Sequence, residues 1–145
     1  MISRTKISLP DHWHFTTDIQ VRVTDLNYGN HLANDKVASL IHEARVRFLQ
    51  RLGKTEIDLF GLGLIQTDAA IAYKNQAFLG DILKFEICLS EISKIGITLH
   101  YRITKEKLEI ARAKTCLAFF DYQKQKLARS TQEIDEFFAH LTKIQ

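Results

Sequence analysis

Through HFTTDIQVRV, residues 14 to 23, Ile19, Val21 and Val23 alternate with polar neighbours, the period of a half-buried strand. The pattern breaks at Thr24 to Asp35, TDLNYGNHLAND, a polar stretch with little to pack. Beyond it, Val37, Leu40, Ile41, Ala44, Phe48, Leu49 and Leu52 recur at spacings of three and four, which lays one apolar stripe along a helix. Asn34 or Asp35 is the expected N-cap and Gly53 the natural stop, giving a helix about 27 Å long. TEIDLFG then predicts a short helical turn.

From Leu64 the period changes again. LIQTDAAIAYKN, DILKFEICLSEIS, IGITLHYRITK and KLEIARAKTCLAFFDY read as long strands, broken at FLGD, SKIG and KEK. Breaks that short predict antiparallel hairpins between neighbours, with Gly80-Asp81 as one of the turns. In the last strand Ala111, Ala113, Thr115, Leu117 and Phe119 share one face, and Ile110, Arg112, Lys114 and Cys116 the other. The tail, STQEIDEFFAHLTKIQ, predicts an amphipathic helix opened by a capping box of Ser130 and Glu133. Strand, long helix, four long strands and short helix make an α+β domain, its curved antiparallel sheet wrapped around the one long helix.

Composition narrows the function classes. A chain of 145 residues with 46% hydrophobic content and a single proline, Pro10, is expected to form one domain over 1–145. Its net charge of +3 comes from scattered Lys and Arg, which argues against nucleic acid but favours an anionic small ligand. No run approaches the ~18 apolar residues of a membrane span, and the N-terminus lacks an apolar signal core. Cys88 and Cys116 sit in apolar strand runs without CxxC spacing, so free thiols in a reducing cytoplasm are expected. His12, His14, His100 and His140 have no metal-like partners in the sequence and read as surface or structural.

The polar stretch carries the candidate chemistry. It leads into a helix N-terminus, where unpaired N–H groups and the positive dipole end favour a developing oxyanion. Gly29 permits a positive φ or a close backbone approach. His31 can move a proton near neutral pH, and Asp25 and Asn27 can orient it or hold a water. A capping-and-turn role fits the same residues. Glu43 reads as an i,i+4 partner of Arg47 or as a member of the site, and Asp68 faces either solvent or a cleft.

The segment VRVTDLNYGNHLANDKVASLIHEARVRFLQRLG resembles the opening signature of hot-dog-fold acyl-CoA thioesterases of the 4-hydroxybenzoyl-CoA thioesterase superfamily. Arg22, Asp25, His31, Asn34, Glu43, Ala44 and Arg45 fall on it. AIAYKNQAFLGDILKFEICLSEISKIGITLHYRI resembles the family's Tyr-x-x-Pro-x-x-x-Gly-Asp-x-Leu block through Tyr73, Gly80, Asp81 and Leu83, with Gln76 where Pro is usual. The resemblance covers about residues 15 to 122. It implies hydrolysis of an acyl-CoA or similar acyl thioester without metal or cofactor, in a homodimer or homotetramer whose sites lie at the subunit interface. It makes Asp25, Asn27, His31 and Glu43 the candidate catalytic residues. Tyr28, Gly29, Asn30, Asp68 and Tyr73 become the candidate substrate contacts. One departure stands out: Asn27 occupies the position of the family's catalytic carboxylate. A carboxylate from Asp25, Glu43 or Asp68 would have to replace it, or His31 polarises the system with Asn27 holding the substrate. Otherwise the chain is a thioester-binding homologue without hydrolytic activity; a hot-dog hydratase or dehydratase is the competing enzyme.

Overall fold

The computed structural model describes residues 2–143. Its elements are β1 (Phe15–Gln20), α1 (Asn34–Arg51), β2 (Gly63–Tyr73), β3 (Ile82–Ile92), β4 (Gly96–Lys105), β5 (Leu108–Asp121), β6 (Lys126–Leu127) and α2 (Gln132–Lys143). The main sheet runs β1-β3-β4-β5-β2 with every pairing antiparallel, and β6 adds to β5. Register shifts at Gln66/Asp68, Leu89/Glu91 and Ile103/Thr104 bend the strands, and such bulges let a sheet curve.

The helical stripe is the core's centre. Val37, Leu40, Ile41, Ala44, Phe48 and Leu49 are buried in one cluster with Leu83, Phe85, Ile87, Leu99, Tyr101, Ile103 and Phe119. On β5 the inward set Ala111, Ala113, Thr115, Leu117 and Phe119 is buried as its alternation predicts. This is the α+β, helix-wrapped hot-dog architecture. Ile110, expected on the outer face, is buried as well, because the ladder shifts register beside it.

Several local expectations are corrected. The helix starts at Asn34, so its N-cap is Ala33, and no side chain caps it. Gly53 ends it with φ +75, as expected of a glycine stop. TEIDLFG forms no helix; Leu59 and Leu62 instead make an antiparallel bridge. The cap of α2 is Thr131, whose Oγ1 accepts the Ile134 N–H at 3.3 Å, while Ser130 donates to Asp135. The expectation for Ile144 and Gln145 lies outside the described residues.

The break at FLGD is the largest correction. It does not close a hairpin: β2 is an edge strand on β5, and β3 lies on the far side between β1 and β4. The connection therefore crosses the end of the sheet. A turn at Phe78–Asp81, with Gly80 at φ +82, sends it into β3. On the way it is stitched to the polar loop, Leu32 donating to Ala77 O at 2.8 Å and His31 bridging Phe78.

The leading segment lies against the sheet's outer face. Arg4 donates to Tyr73 O at 3.2 Å, Arg112 donates to Ile7 O at 2.9 Å, and the Arg102 guanidinium sits over the Trp13 ring.

Candidate active site

The loop before α1 is a miniature hairpin. Leu26 pairs with Leu32, Asn27 N–H donates to His31 O at 3.0 Å, and Asn30 N–H donates to Asn27 O at 3.0 Å. Asn30 takes the left-handed turn at φ 64, a conformation asparagine tolerates. The positive φ therefore falls on Asn30 rather than Gly29. Gly29 is small for another reason: a Cβ there would sit 3.2 Å from both Asn27 Oδ1 and His31 Nε2.

Asn27 Oδ1 accepts the Gly29 N–H at 2.8 Å. The amide oxygen is thus committed to the turn, which leaves the Nδ2 hydrogens as donors. Asp25 has a structural task. It is 2% exposed, and its carboxylate takes the Arg22 backbone N–H at 2.9 Å and the guanidinium at 3.1 and 3.2 Å. Burial opposes its charge, but the Arg22 hydrogen bonds and charge prevail and hold its carboxyl below the usual range. With Ala33 N–H donating to Asp25 O at 3.0 Å, the residue braces the whole loop.

A cavity of about 220 Å³ opens beside this hairpin, lined by His31, Leu32, Asn34, Val37, Tyr73, Lys74, Asn75, Gln76, Ala77 and Ile110. Its floor is apolar, since Leu32, Val37, Ala77 and Ile110 are all buried. The first turn of α1, uncapped by any side chain, contributes one wall. Tyr73 reaches across to donate its hydroxyl to Asn34 O at 3.2 Å. His31 Nδ1 lies 3.4 Å from Leu32 O; with the proton on Nδ1, Nε2 keeps a free lone pair.

The remaining predicted residues lie elsewhere. Tyr28 is fully exposed at the turn's tip. Glu43 accepts from Arg47 at 2.8 Å, and Arg47 also binds Thr17 and Asp18 O, so Glu43 belongs to the β1 side of the helix. Asp68 is exposed on edge strand β2, opposite Cys116 on the outer face. It lies five positions before Tyr73, about 17 Å along the strand. Within one chain, no carboxylate among the described residues lines the cavity.

Two clusters escaped the sequence reading. Arg45, 4% exposed, donates to Glu56 at 3.1 Å, Gln66 at 3.0 Å and Tyr101 OH at 3.4 Å, and Glu56 also meets His42 at 2.6 Å. The signal was there: Arg45 sits on the apolar stripe beside Ala44 and Phe48. The second cluster places His12, His14 and Cys88 with ligand atoms within 4.8 Å of one another, so the two histidines do have neighbours of metal-binding type. Its geometry opposes a metal. Leu89 N–H donates to His14 Nδ1 at 3.0 Å, which puts the ring proton on Nε2, a buried atom without a partner among the described residues. Cys88 and Cys116 are free, and burial pushes the Cys88 thiol up.

A larger cavity, about 480 Å³, lies on the outer face around Thr67, Glu91, Thr98, Cys116 and Arg129. It has size without an arranged proton carrier and oxyanion site, so the chemistry favours the cavity at His31.

The chain is similar to known proteins in sequence and in fold. The sequence profile of the thioesterase-like superfamily matches residues 21–139. The acyl-CoA thioesterase YbgC of Haemophilus influenzae is 25% identical over 130 residues, which span 88% of this chain and 96% of that protein. Among solved structures, the 1,4-dihydroxy-2-naphthoyl-CoA thioesterase Slr0204 of Synechocystis superposes with a TM-score of 0.77 at 21% identity, covering 88% of this chain and 97% of its own. The DHNA-CoA thioesterase of Staphylococcus aureus gives 0.79 at 19% identity, covering 89% and 91%.

Proposed function

The chain belongs to the thioesterase-like superfamily, and from that premise we propose that it hydrolyses an acyl-CoA, or a similar acyl thioester, to the free acid and the thiol. The observation that carries the reading is the convergence of His31, the uncapped start of α1 and an apolar floor on one cavity.

The acyl group rests on Leu32, Val37, Ala77 and Ile110, which places the thioester carbonyl at the helix start. There the Asn34 and Asp35 N–H groups, at the open start of α1, stabilise the oxygen as it gains charge. His31 Nε2 takes a proton from water, whose oxygen bonds to the carbonyl carbon and forms the tetrahedral oxyanion. Collapse breaks the C–S bond, and the imidazolium returns its proton to the departing thiolate. Asp25 keeps the loop in shape and takes no proton, because its oxygens are committed to Arg22.

Thiol released from a panel of acyl-CoAs, followed with a thiol reagent, tests the activity. His31→Ala, folded normally, should lose about 10²-fold in turnover. One observation favours a second reading, an acyl-thioester binder. Asn27 stands where the family's carboxylate is expected, and its oxygen is spent on Gly29. Ligand-induced thermal stabilisation without thiol release would establish that reading instead.

The functional unit is a dimer in this reading. Gln66, Thr67, Asp68 and Ala69 are exposed on edge strand β2, and exposed edges are commonly paired or covered. Joining two β2 edges gives a continuous sheet and carries Asp68 of one copy toward the other, and such dimers can pair into a tetramer. Both cysteines being free suits a cytoplasmic location. Among the described residues no helix is long and apolar enough to cross a membrane.

A further inference from the structure

We propose that Lys74 selects substrates whose thiol carrier is phosphorylated, its ammonium meeting the phosphate of a phosphopantetheine arm at the mouth of the His31 cavity. The inference rests on the thioesterase reading above and adds the residue that recognises the carrier. The cavity's floor is closed by buried Leu32, Val37, Ala77 and Ile110, whereas Lys74, Asn75 and Gln76 on its rim are exposed. An acyl group lying on that floor sends its thiol carrier out past the exposed lining, of which Lys74, Asn75 and Gln76 form one continuous stretch.

The rim is tied to β5, and the Lys74 side chain projects from it. Lys74 and Asn75 both donate their N–H groups to Ile110 O, at 2.8 and 3.2 Å, and the Asn75 amide donates to Glu109 O at 2.8 Å. Lys74 itself forms no ion pair among the described residues. The acid whose titration it influences, Glu109, is clamped by Arg112 at 2.5 and 2.8 Å. A second cation stands close by, since Arg4 donates to the carbonyl of the preceding residue, Tyr73. At the helix start exposed Asp35 is followed by half-buried Lys36, whose charges offset, so the exposed cation among the cavity's lining residues is Lys74. A lysine here is a point charge on a long flexible stem, able to follow a phosphate outside the cavity. Coenzyme A and a phosphopantetheinyl carrier protein both present that phosphate.

The test uses one acyl group on three thiols: coenzyme A, a phosphopantetheinylated carrier protein and uncharged N-acetylcysteamine. Lys74→Gln should raise KM about fivefold on a phosphorylated carrier, the scale of one exposed charge contact, with kcat and the N-acetylcysteamine reaction unchanged. Lys74→Arg should restore KM, and added salt should raise it for the wild type alone. A change confined to the coenzyme A arm names that carrier; one confined to the carrier-protein arm names the other. An equal change on all three thiols, or none on either phosphorylated one, overturns the proposal. A wild type inactive on all three instead removes the thioesterase reading, and this inference with it.

Discussion

The Tyr73 hydroxyl donates to the main-chain oxygen of Asn34 at 3.2 Å, so the last residue of β2 is tied to the first residue of α1. That bond crosses the wall of the His31 cavity and fixes the distance between an edge strand and the helix start.

Removing it isolates its role. Tyr73→Phe keeps the ring and loses the bond, which should lower stability by about 0.5–1 kcal/mol. Turnover should fall severalfold with KM nearly constant, because the wall moves relative to the helix amides. An unchanged kcat in the purified variant would show that the bond has no bearing on the site.

Asn27→Asp asks whether the family's acid position is still aligned. Aspartate can accept the Gly29 N–H as asparagine does, so the turn should survive. The second carboxylate oxygen then replaces the Nδ2 donor and can take a proton from water. Steady-state thiol release should rise. A folded but inactive variant would mean that the amide hydrogens themselves serve the reaction.

Arg45→Met leaves Glu56 and the Tyr101 hydroxyl without their buried cation. Breaking such a pair from one side should cost about 3 kcal/mol, read as a fall in the thermal or urea midpoint. Adding Glu56→Gln to the same chain should recover part of the loss. Equal midpoints for wild type and Arg45→Met would refute the network's structural weight.

Acid should weaken the fold through His14. Burial, and then the neighbouring His12, lower its pKa from the ordinary 6.5, and its Nδ1 already accepts the Leu89 N–H. The unfolded chain therefore binds a proton near pH 6.5 that the folded chain refuses, so stability rises with pH through that range and is lost as pH falls below it. His14→Gln should flatten the dependence in urea melts between about pH 8 and 5.5, a window set by the ordinary histidine value. A slope identical to the wild type would exclude His14 as its source.

The β2 edge makes a prediction about assembly. Light scattering should give at least a dimeric mass, and a proline at Ala69 should lower it, since proline removes a ladder donor. Mixing His31→Ala subunits with Asp68→Asn subunits should recover activity if Asp68 serves the partner's site. No recovery would confine each site to one chain.

The helix, the long strands and the β5 alternation were legible because each is a local period set by which side chains are buried. What sequence spacing could not show was pairing between distant strands. FLGD looks like a hairpin turn locally, yet β2 pairs with β5, so the turn serves a crossing whose direction the whole sheet determines. The site was half legible. Asn27, Gly29 and His31 are neighbours in sequence, and the turn chemistry of that stretch marked it as the candidate. Of the three only His31 lines the cavity, and Lys74, Ala77 and Ile110 join it only through the crossing. Asp25 and Glu43 were plausible acids by type. Only the structure shows them engaged by Arg22 and Arg47, three and four residues away. The N-cap is Ala33 rather than Asn34 or Asp35, and its side chain cannot cap the first helix amides.

The crossing also sets an order of events for the folding chain. β3, β4 and β5 are joined by short turns and can zip locally, whereas Phe15 must find Ile87 and Tyr73 must find Ala111 across long stretches of chain. Loop closure delays such non-local pairings, so both edge strands should dock late. The loop before α1 follows β1, and the rim at Lys74 follows β2, so the cavity exists only once both edges are in place. A nascent or partly melted chain can hold most of its native sheet and still be blank at the site, which makes catalysis a stricter gauge of completed folding than circular dichroism.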